Sequence, residues 1–153
     1  MFKKILIPTD GSPLSIQAVN AGIAFARSVG AEVLGLYVTQ PFAATIGFDG
    51  MAAAYALTDE NYEKAAAEQA DKYLKQIGEA AQAAGVPVQL KAVTHFNVAE
   101  GIAEAAKEHG ADLIFIGSHG RSGLSRLLLG SVTSKVLSLS STAVLVYRVK
   151  DED

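Results

Sequence analysis

The segment around residue 115 reads Leu113-Ile114-Phe115-Ile116-Gly117-Ser118-His119-Gly120 and, after nine further residues, Gly130-Ser131. The apolar run is typical of a buried strand, and the glycines that follow it indicate a loop. Glycine permits positive φ and lets an anion approach main-chain N–H groups closely. Ser131 is expected to begin a helix, whose N-terminus carries free donors and partial positive charge. The segment therefore predicts either a phosphate-binding strand–loop–helix unit or a plain connection that uses glycines as turn residues.

Strands and helices are predicted to alternate along the rest of the chain. Apolar runs bounded by turn residues predict five strands, at residues 3–7, 32–39, 88–94, 111–116 and 143–149. The first helix is predicted from Ser12 as N-cap, Pro13 at the first helical position and Gly30 as the stop. A capping box of Asn97 and Glu100 is predicted to open another helix. The helices after the first are predicted at residues 59–84, 98–109 and 131–139.

This alternation predicts one α/β domain at residues 1–150, followed by a solvated acidic tail at residues 151–153. The expected architecture is Rossmann-like, a five-stranded parallel sheet with helices on both faces. Ligands of such sheets bind at the carboxyl ends of the strands, where the strand order reverses. The loops at 8–12 and 117–130 both follow strands at such ends. The long connection at 40–57 is expected to be a lid, a partner surface or a mobile segment, with Thr58 capping the next helix.

Composition narrows the class of protein. The chain has 153 residues, of which 50% are hydrophobic and 19% charged, so a globular domain is expected rather than a disordered one. The absence of cysteine excludes a disulfide framework and thiolate metal sites, and it fits the expected cytoplasmic location. No apolar run approaches the roughly 20 residues that cross a bilayer, so no membrane insertion is expected. A net charge of −3 argues against a nucleic-acid partner.

Two polar side chains near the predicted site each have competing interpretations. Asp10 directly follows the first strand, where it either accepts hydrogen bonds from ribose hydroxyls or an adenine amine, or shapes the turn together with Ser12. His119 lies in the glycine loop, where it contacts phosphate, transfers protons or is simply an exposed loop residue. The last interpretation is favoured because no carboxylate nearby in sequence would orient the imidazole ring.

Other polar groups and missing motifs limit the chemistry further. Arg121 and Arg126 either neutralise phosphate charge or belong to the solvated surface, and Thr133 either adds a hydroxyl to the anion site or is an ordinary first-turn residue. No lysine precedes Ser131 as a P-loop requires, and no dinucleotide fingerprint or G-x-S-x-G elbow is present. Three scattered histidines do not predict a metal site. The sequence thus offers a nucleotide cradle without an obvious catalytic base.

These residues together resemble the universal stress protein family. Its ATP-binding signature is matched by Gly117-x2-Gly120-x9-Gly130-Ser131, and its opening strand and turn by residues 5–12. The resemblance implies strand order 3-2-1-4-5 and ATP as ligand, or ADP or AMP in its place, with Mg²⁺ accompanying the phosphates. It also implies that the residue at Asp10 contacts ribose or adenine and that the backbone at Val38 meets the adenine edge. The expected nucleotide-binding residues are Pro8, Thr9, Asp10, Val38, Gly117, His119, Gly120, Arg121, Gly130, Ser131, Val132 and Thr133.

The resemblance further implies a homodimer that pairs through the last strand, Ala143–Val149, and an unknown protein partner. Two departures are Ala143, where the family often has proline, and residues 95–97, where it often has a glycine-bearing turn; Phe96 is expected to narrow or line the pocket. The predicted function is an adenine-nucleotide-binding stress-response regulator with at most slow ATP hydrolysis, and no catalytic residue or metal ligand is assigned. The alternatives are a phosphate hydrolase or phosphotransferase using Asp10 or His119, and a nucleotide-independent protein-interaction dimer.

Overall fold

A computed structural model describes residues 1–42, 59–119 and 128–149. The described strands are β1 (Lys4–Pro8), β2 (Glu32–Thr39), β3 (Val88–Thr94), β4 (Leu113–Gly117) and β5 (Ala143–Tyr147). The described helices are α1 (Pro13–Val29), α2 (Asp59–Ala84), α3 (Val98–Glu108) and α4 (Ser131–Leu139). The predicted cap Thr58, most of the connection at 40–57, the loop residues Gly120, Arg121 and Arg126, and the tail at 151–153 lie outside the described residues.

The strands form one sheet in the order β3-β2-β1-β4-β5, and every strand pair is parallel. In the register, Ile5 of β1 lies opposite Val33 of β2 on one side and Leu113 of β4 on the other. The strand order therefore reverses at β1, between its two neighbours. The predicted single α/β domain and the order 3-2-1-4-5 are both confirmed.

Alternating side chains of the strands build two apolar layers, one on each face of the sheet. One face packs against α1 and α2 and carries Ile5, Ile7, Val33, Leu113 and Phe115. The other face packs against α3 and α4 and carries Leu6, Leu34, Leu36, Ile114 and Ile116. Each fully buried aliphatic side chain of this kind contributes about 1.5–3 kcal/mol relative to exposure. Helices on both faces explain why the central strands read as continuous apolar runs.

Polar caps set two of the helix starts. The Ser12 hydroxyl accepts the Ser15 N–H at 3.2 Å, as predicted for α1. The Asn97 side chain accepts the Glu100 N–H at 3.2 Å and starts α3. The reciprocal bond of the predicted capping box is made differently, because the Asn97 N–H donates to His95 Nδ1 at 2.9 Å.

Strand boundaries differ slightly from the predictions, for local reasons. Pro8 is the last residue of β1 rather than the residue that stops it, and the following Thr9 N–H donates to Leu36. β4 begins at Leu113 instead of Ala111, because the Ala111 N–H closes the end of α3 on Ala106 at 2.9 Å. β5 ends at Tyr147, two residues earlier than predicted.

Candidate functional site

A cavity of about 250 Å³ opens at the carboxyl ends of β1 and β4, where the strand order reverses. This is the position at which open parallel sheets bind ligands. Its walls come from the turn after β1, the end of β4, the start of α4 and two apolar side chains of α3. The lining residues are Pro8, Thr9, Asp10, Ser15, Val98, Ile102, Ile116, Gly117, His119, Gly130, Ser131, Val132 and Thr133.

A network of short hydrogen bonds shapes the turn after β1. The Thr9 and Ser15 hydroxyls lie 3.1 Å apart and are both buried. The Ser15 hydroxyl also accepts the Asp10 N–H at 3.2 Å, and Asp10 Oδ1 accepts the Ser12 N–H at 2.9 Å. Asp10 therefore shapes the turn, as one of the two interpretations of the sequence proposed, and it also lines the cavity.

Gly11 allows this turn to pack against α2. Its φ is +77°, in the left-handed region that favours glycine. A Cβ at this position would also overlap the ring of Tyr73. The close approach of Tyr73 therefore fixes the path of the chain between Asp10 and Ser12.

The start of α4 lacks the side-chain cap that α1 and α3 have. Gly130 is its N-cap residue, and no side chain hydrogen-bonds to the first turn. The first helical bond is made by the Ser134 N–H to Gly130 at 3.0 Å. Because the earlier N–H groups of a helix have no intrahelical acceptor, this end presents donors and partial positive charge to the cavity that it lines.

Neither of the two described glycines of the loop, Gly117 and Gly130, has a positive φ. Gly130 has φ −59° and ψ 155°, which other residues also adopt, so the expectation of a positive φ is wrong here. Gly117 ends β4, and a Cβ there would lie 3.1 Å from the Ala18 Cβ and 3.2 Å from a methyl of Val149. Close packing, not backbone conformation, accounts for the glycine at 117.

Thr133 and Ser118 tie this loop to its surroundings. The buried Thr133 hydroxyl donates to the Gly117 carbonyl at 2.8 Å, and this bond holds the end of β4 against the first turn of α4. The Ser118 N–H donates to Tyr147 at 2.7 Å, and the Ser118 carbonyl accepts the Gly130 N–H at 2.8 Å. These bonds join the ends of β4 and β5 to the start of α4.

His119 is not the exposed loop residue that was favoured from the sequence. The residue is half-buried and lines the cavity, and its Nδ1 lies 3.2 Å from the Ser118 hydroxyl. The other ring nitrogen, Nε2, is buried and has no hydrogen-bond partner in the part of the chain that the structure describes. The ring is thus oriented by a hydroxyl rather than by the carboxylate that the sequence argument looked for.

A second cavity of about 590 Å³ adjoins the first on the β2 side. The shared lining residues are Pro8, Thr9, Asp10, Val98, Ile102 and Val132. Val38 lies in its wall, together with Tyr37 of β2 and Tyr62 and Gln69 of α2. The Gln69 amide donates to the Tyr73 hydroxyl at 3.1 Å, which links this wall to the ring over Gly11.

The described residues among those predicted for the site all line these two cavities; Gly120 and Arg121 lie outside the described part. Phe96 is a wrong expectation, because it is 67% exposed and lines neither cavity. The adjacent His95 ring is held over α3, with Nε2 3.4 Å from a Glu104 oxygen.

Several lining residues were missed from the sequence. Ser15, Val98 and Ile102 line the first cavity, and Ser118 holds its loop in place. Ser118 stands inside the quoted motif, and Ser15 follows the predicted cap by three residues, so both had a local signal. Val98 and Ile102 are apolar helix residues whose role depends on where α3 packs.

Neither a membrane-spanning helix nor a metal site is found among residues 1–42, 59–119 and 128–149. None of the helices there has both the length and the apolarity to cross a bilayer. No group of three or more histidine, cysteine or acidic residues in the same ranges could hold a metal ion.

Comparison with known proteins places this geometry in a family. The model of the universal stress protein family matches residues 1–148. The chain belongs to the universal stress protein family. The universal stress protein MJ0531 of Methanocaldococcus jannaschii is 34% identical over 97% of this chain and 83% of its own length. The resemblance drawn from the loop and the opening strand is confirmed.

Solved structures of universal stress proteins have the same fold. MJ0577 of Methanocaldococcus jannaschii superposes with a TM-score of 0.80 at 30% identity, and the match covers 99% of each chain. A universal stress protein solved in complex with cAMP superposes with a TM-score of 0.67 at 25% identity, covering 97% of this chain and 98% of that one.

Proposed function

We propose that this universal stress protein binds an adenine nucleotide, ATP foremost, and acts as a homodimeric regulator of stress response in the cytoplasm. The observation that carries the proposal is the uncapped start of α4, which faces a cavity at the switch point of the sheet. Free N–H groups and the helix dipole favour an anion at that place. ADP or AMP would use the same donors with fewer phosphates.

The two adjoining cavities suit an elongated ligand with one charged end. In the proposed pose the phosphates lie against Gly130, Ser131 and Val132, with Gly117, Thr133 and the loop residues Gly120 and Arg121 around them. The ribose lies beside Asp10, and the base reaches across Pro8 and Thr9 towards Val38. The larger cavity, about 590 Å³, is within the size range of small-molecule sites. The relative solved with cAMP supports an adenine nucleotide as the class of ligand.

The charges of the described cavity lining favour a nucleotide whose phosphates carry Mg²⁺. The described lining of the first cavity includes Asp10 and no lysine or arginine. A divalent cation bound to the phosphates would reduce their repulsion by this carboxylate. The protein would contribute helix donors, and Mg²⁺ would supply the charge neutralisation that the described walls lack.

At most slow hydrolysis is proposed. The Asp10 carboxylate already accepts the Ser12 N–H at 2.9 Å, which holds it in the turn. A general base must instead reach the attacking water in a productive pose. A regulator that holds its nucleotide fits this arrangement better than a fast phosphate-transfer enzyme.

Isothermal titration of the purified protein with ATP, AMP, adenosine and GTP tests the proposal. ATP and AMP are expected to bind with measurable heat, adenosine more weakly because it lacks phosphate, and GTP more weakly than ATP. Mass spectrometry of the protein as isolated would identify a retained nucleotide. Absence of binding heat for every adenine compound, together with no co-purified nucleotide, would contradict the proposal.

The homodimer is proposed to form through the last strand. β5 is an edge strand of the sheet, and pairing with a second copy would cover its free backbone groups. Leu137 and Leu139 of the neighbouring α4 are 43% and 51% exposed, which supports an apolar surface on this side.

Light scattering on Val146→Asp and Leu137→Lys tests the dimer. Both variants are expected to lower the dimer fraction, and Leu137→Lys guards against misfolding because its side chain is exposed. Thermal unfolding confirms that each variant is folded. A wild-type monomer, or folded variants that remain dimeric, would overturn this assembly.

A further inference from the structure

Three polar groups, the Ser118 hydroxyl and the His119 ring after β4 and the Val149 N–H after β5, form a chain of hydrogen bonds beside the cavity that His119 lines. The Val149 N–H donates to the Ser118 hydroxyl oxygen at 3.1 Å. The same oxygen lies 3.2 Å from His119 Nδ1. Ser118 is 3% exposed, and its hydroxyl has these two partners among the described residues. Because a backbone N–H can only donate, the hydroxyl proton of Ser118 has one acceptor here, His119 Nδ1.

This chain favours one tautomer of His119. A neutral imidazole that accepts a hydrogen bond at Nδ1 carries its proton on Nε2. Nε2 is the buried atom that has no hydrogen-bond partner in the described part of the chain, and His119 is one of the residues that line the first cavity. His119, a lining residue of the cavity, therefore carries a buried N–H donor that has no acceptor among the described residues, a state that costs free energy until a ligand supplies one.

We infer that His119 donates from Nε2 to a phosphate oxygen of the bound nucleotide, and that Ser118 is the positioning residue that holds the required tautomer. The inference rests on the proposed function and specifies the chemistry of the same site. His119 lines the cavity bounded by the uncapped start of α4 and is absent from the wall of the larger cavity proposed for the base. The acceptor is therefore the phosphate end of the ligand.

The same arrangement opposes a role for His119 as a general base. To take a proton at Nε2, the neutral ring would need its own proton on Nδ1. The Ser118 hydroxyl, buried and facing a second donor at Val149, would then have no acceptor among the described residues. The hydroxyl thus favours a phosphate-binding donor over the proton-transfer role considered from the sequence.

Imidazole ¹⁵N spectroscopy reads the tautomer directly, since the chain has three histidines. His119 is expected to carry its proton on Nε2, and its Nε2–H resonance is expected to move on addition of AMP but not of adenosine. Ser118→Ala is expected to give a mixture of both tautomers and weaker AMP binding with unchanged adenosine binding. A ligand-free spectrum with the His119 proton on Nδ1 would overturn the inference.

Calorimetry separates the donor from the fold. His119→Ala is expected to weaken AMP binding about 10-fold, the usual scale for a hydrogen bond to a charged group, and to leave adenosine binding unchanged. His119→Gln, which keeps an N–H donor on a similar reach, is expected to restore part of the loss. The matched control is His95→Gln: the His95 Nδ1 also accepts a backbone N–H, but its Nε2 faces Glu104 and it lines neither cavity.

The outcomes distinguish this inference from the function on which it rests. Equal AMP affinity of wild type and His119→Ala would overturn the inference alone. Failure of ATP, AMP and adenosine alike to bind the wild type would overturn the proposed function and the inference together.

Discussion

The sheet has an amino edge, where its parallel strands begin, and a carboxyl edge, where they end. The helix ends at these two edges are hydrogen-bonded in different ways. At the amino edge, α1, α2 and α3 end in the same turn, with Gly30, Gly85 and Gly110 at φ +70°, +70° and +66°. In each turn the next residue donates at 2.9 Å to a carbonyl five residues earlier, as from Ala31 to Ala26. This repeated pattern is the Schellman motif, which satisfies helix-end carbonyls with backbone groups.

At the carboxyl edge, polar side chains accept hydrogen bonds from the N–H groups at the starts of α1 and α3, but not at the start of α4. Ser12 caps α1 and Asn97 caps α3, whereas Gly130 leaves the start of α4 without a side-chain cap. The uncapped start lines the same cavity as His119, whose Nε2 has no hydrogen-bond partner among the described residues. The comparison teaches that the edge built for stability closes its own hydrogen bonds, while the edge proposed for binding keeps donors open.

The largest expected effect is on ATP affinity, when a charged side chain caps the start of α4. Gly130→Asp is expected to supply a cap for α4, because φ −59° and ψ 155° suit any residue. A carboxylate about 4 Å from phosphate would cost about 4 kcal/mol, so ATP affinity is expected to fall about 1000-fold in calorimetry. The free energy of unfolding should stay within about 0.5 kcal/mol.

Gly130→Asn is the matched control for that variant, since it offers a similar cap without charge and should weaken ATP binding less. Unchanged affinity of the Asp variant would show that phosphate does not bind at the start of α4.

A pair of glycine substitutions compares the two edges directly. Gly11→Ala, at the carboxyl edge, must overlap Tyr73 as well as adopt φ +77°, so it is expected to lower the free energy of unfolding by about 3 kcal/mol. Gly30→Ala, at the amino edge, has nothing within 4 Å of the new Cβ and is expected to lose about 1 kcal/mol. Urea unfolding measures both, and equal losses would contradict the role given to Tyr73.

The smallest effect concerns single caps. Ser12→Ala removes the acceptor of the Ser15 N–H and is expected to lower the free energy of unfolding by about 1 kcal/mol. Ser131→Ala, at the exposed first position of α4, is expected to change it by less than about 0.5 kcal/mol. Chemical denaturation of the two variants side by side decides the point; a loss at Ser131 as large as at Ser12 would mean that α4 is capped after all.

The parts of the fold that could be predicted depend on local signals. Ser12 with Pro13, and Gly30 after an apolar periodicity, mark the ends of α1 because capping and left-handed turns involve neighbouring residues. β2 and β3 were predicted with the bounds that the structure has. The strand order came from the family resemblance, because periodicity alone does not tell which strands pair.

The parts that could not be predicted depend on contacts distant in sequence. Tyr73 over Gly11, and Val149 on Ser118, join segments whose proximity is known only after the sheet is assembled. Phe96 was placed in the pocket because the family often has a glycine-bearing turn at residues 95–97, but its side chain is exposed, while the adjacent His95 contacts Asn97 and Glu104. The partial burial of His119 was not predicted, because its ring is oriented by the serine beside it and not by an acid.

The three glycine turns have a practical consequence for handling the molecule. They lie at the far end of strands that span about 17 Å from the cavity edge. The chain has no cysteine, so a cysteine introduced at exposed Glu108, beside one of these turns, would be its sole thiol. A dye or a solid support attached at residue 108 would hold the protein at the amino edge and leave the cavity at the carboxyl edge facing the solution.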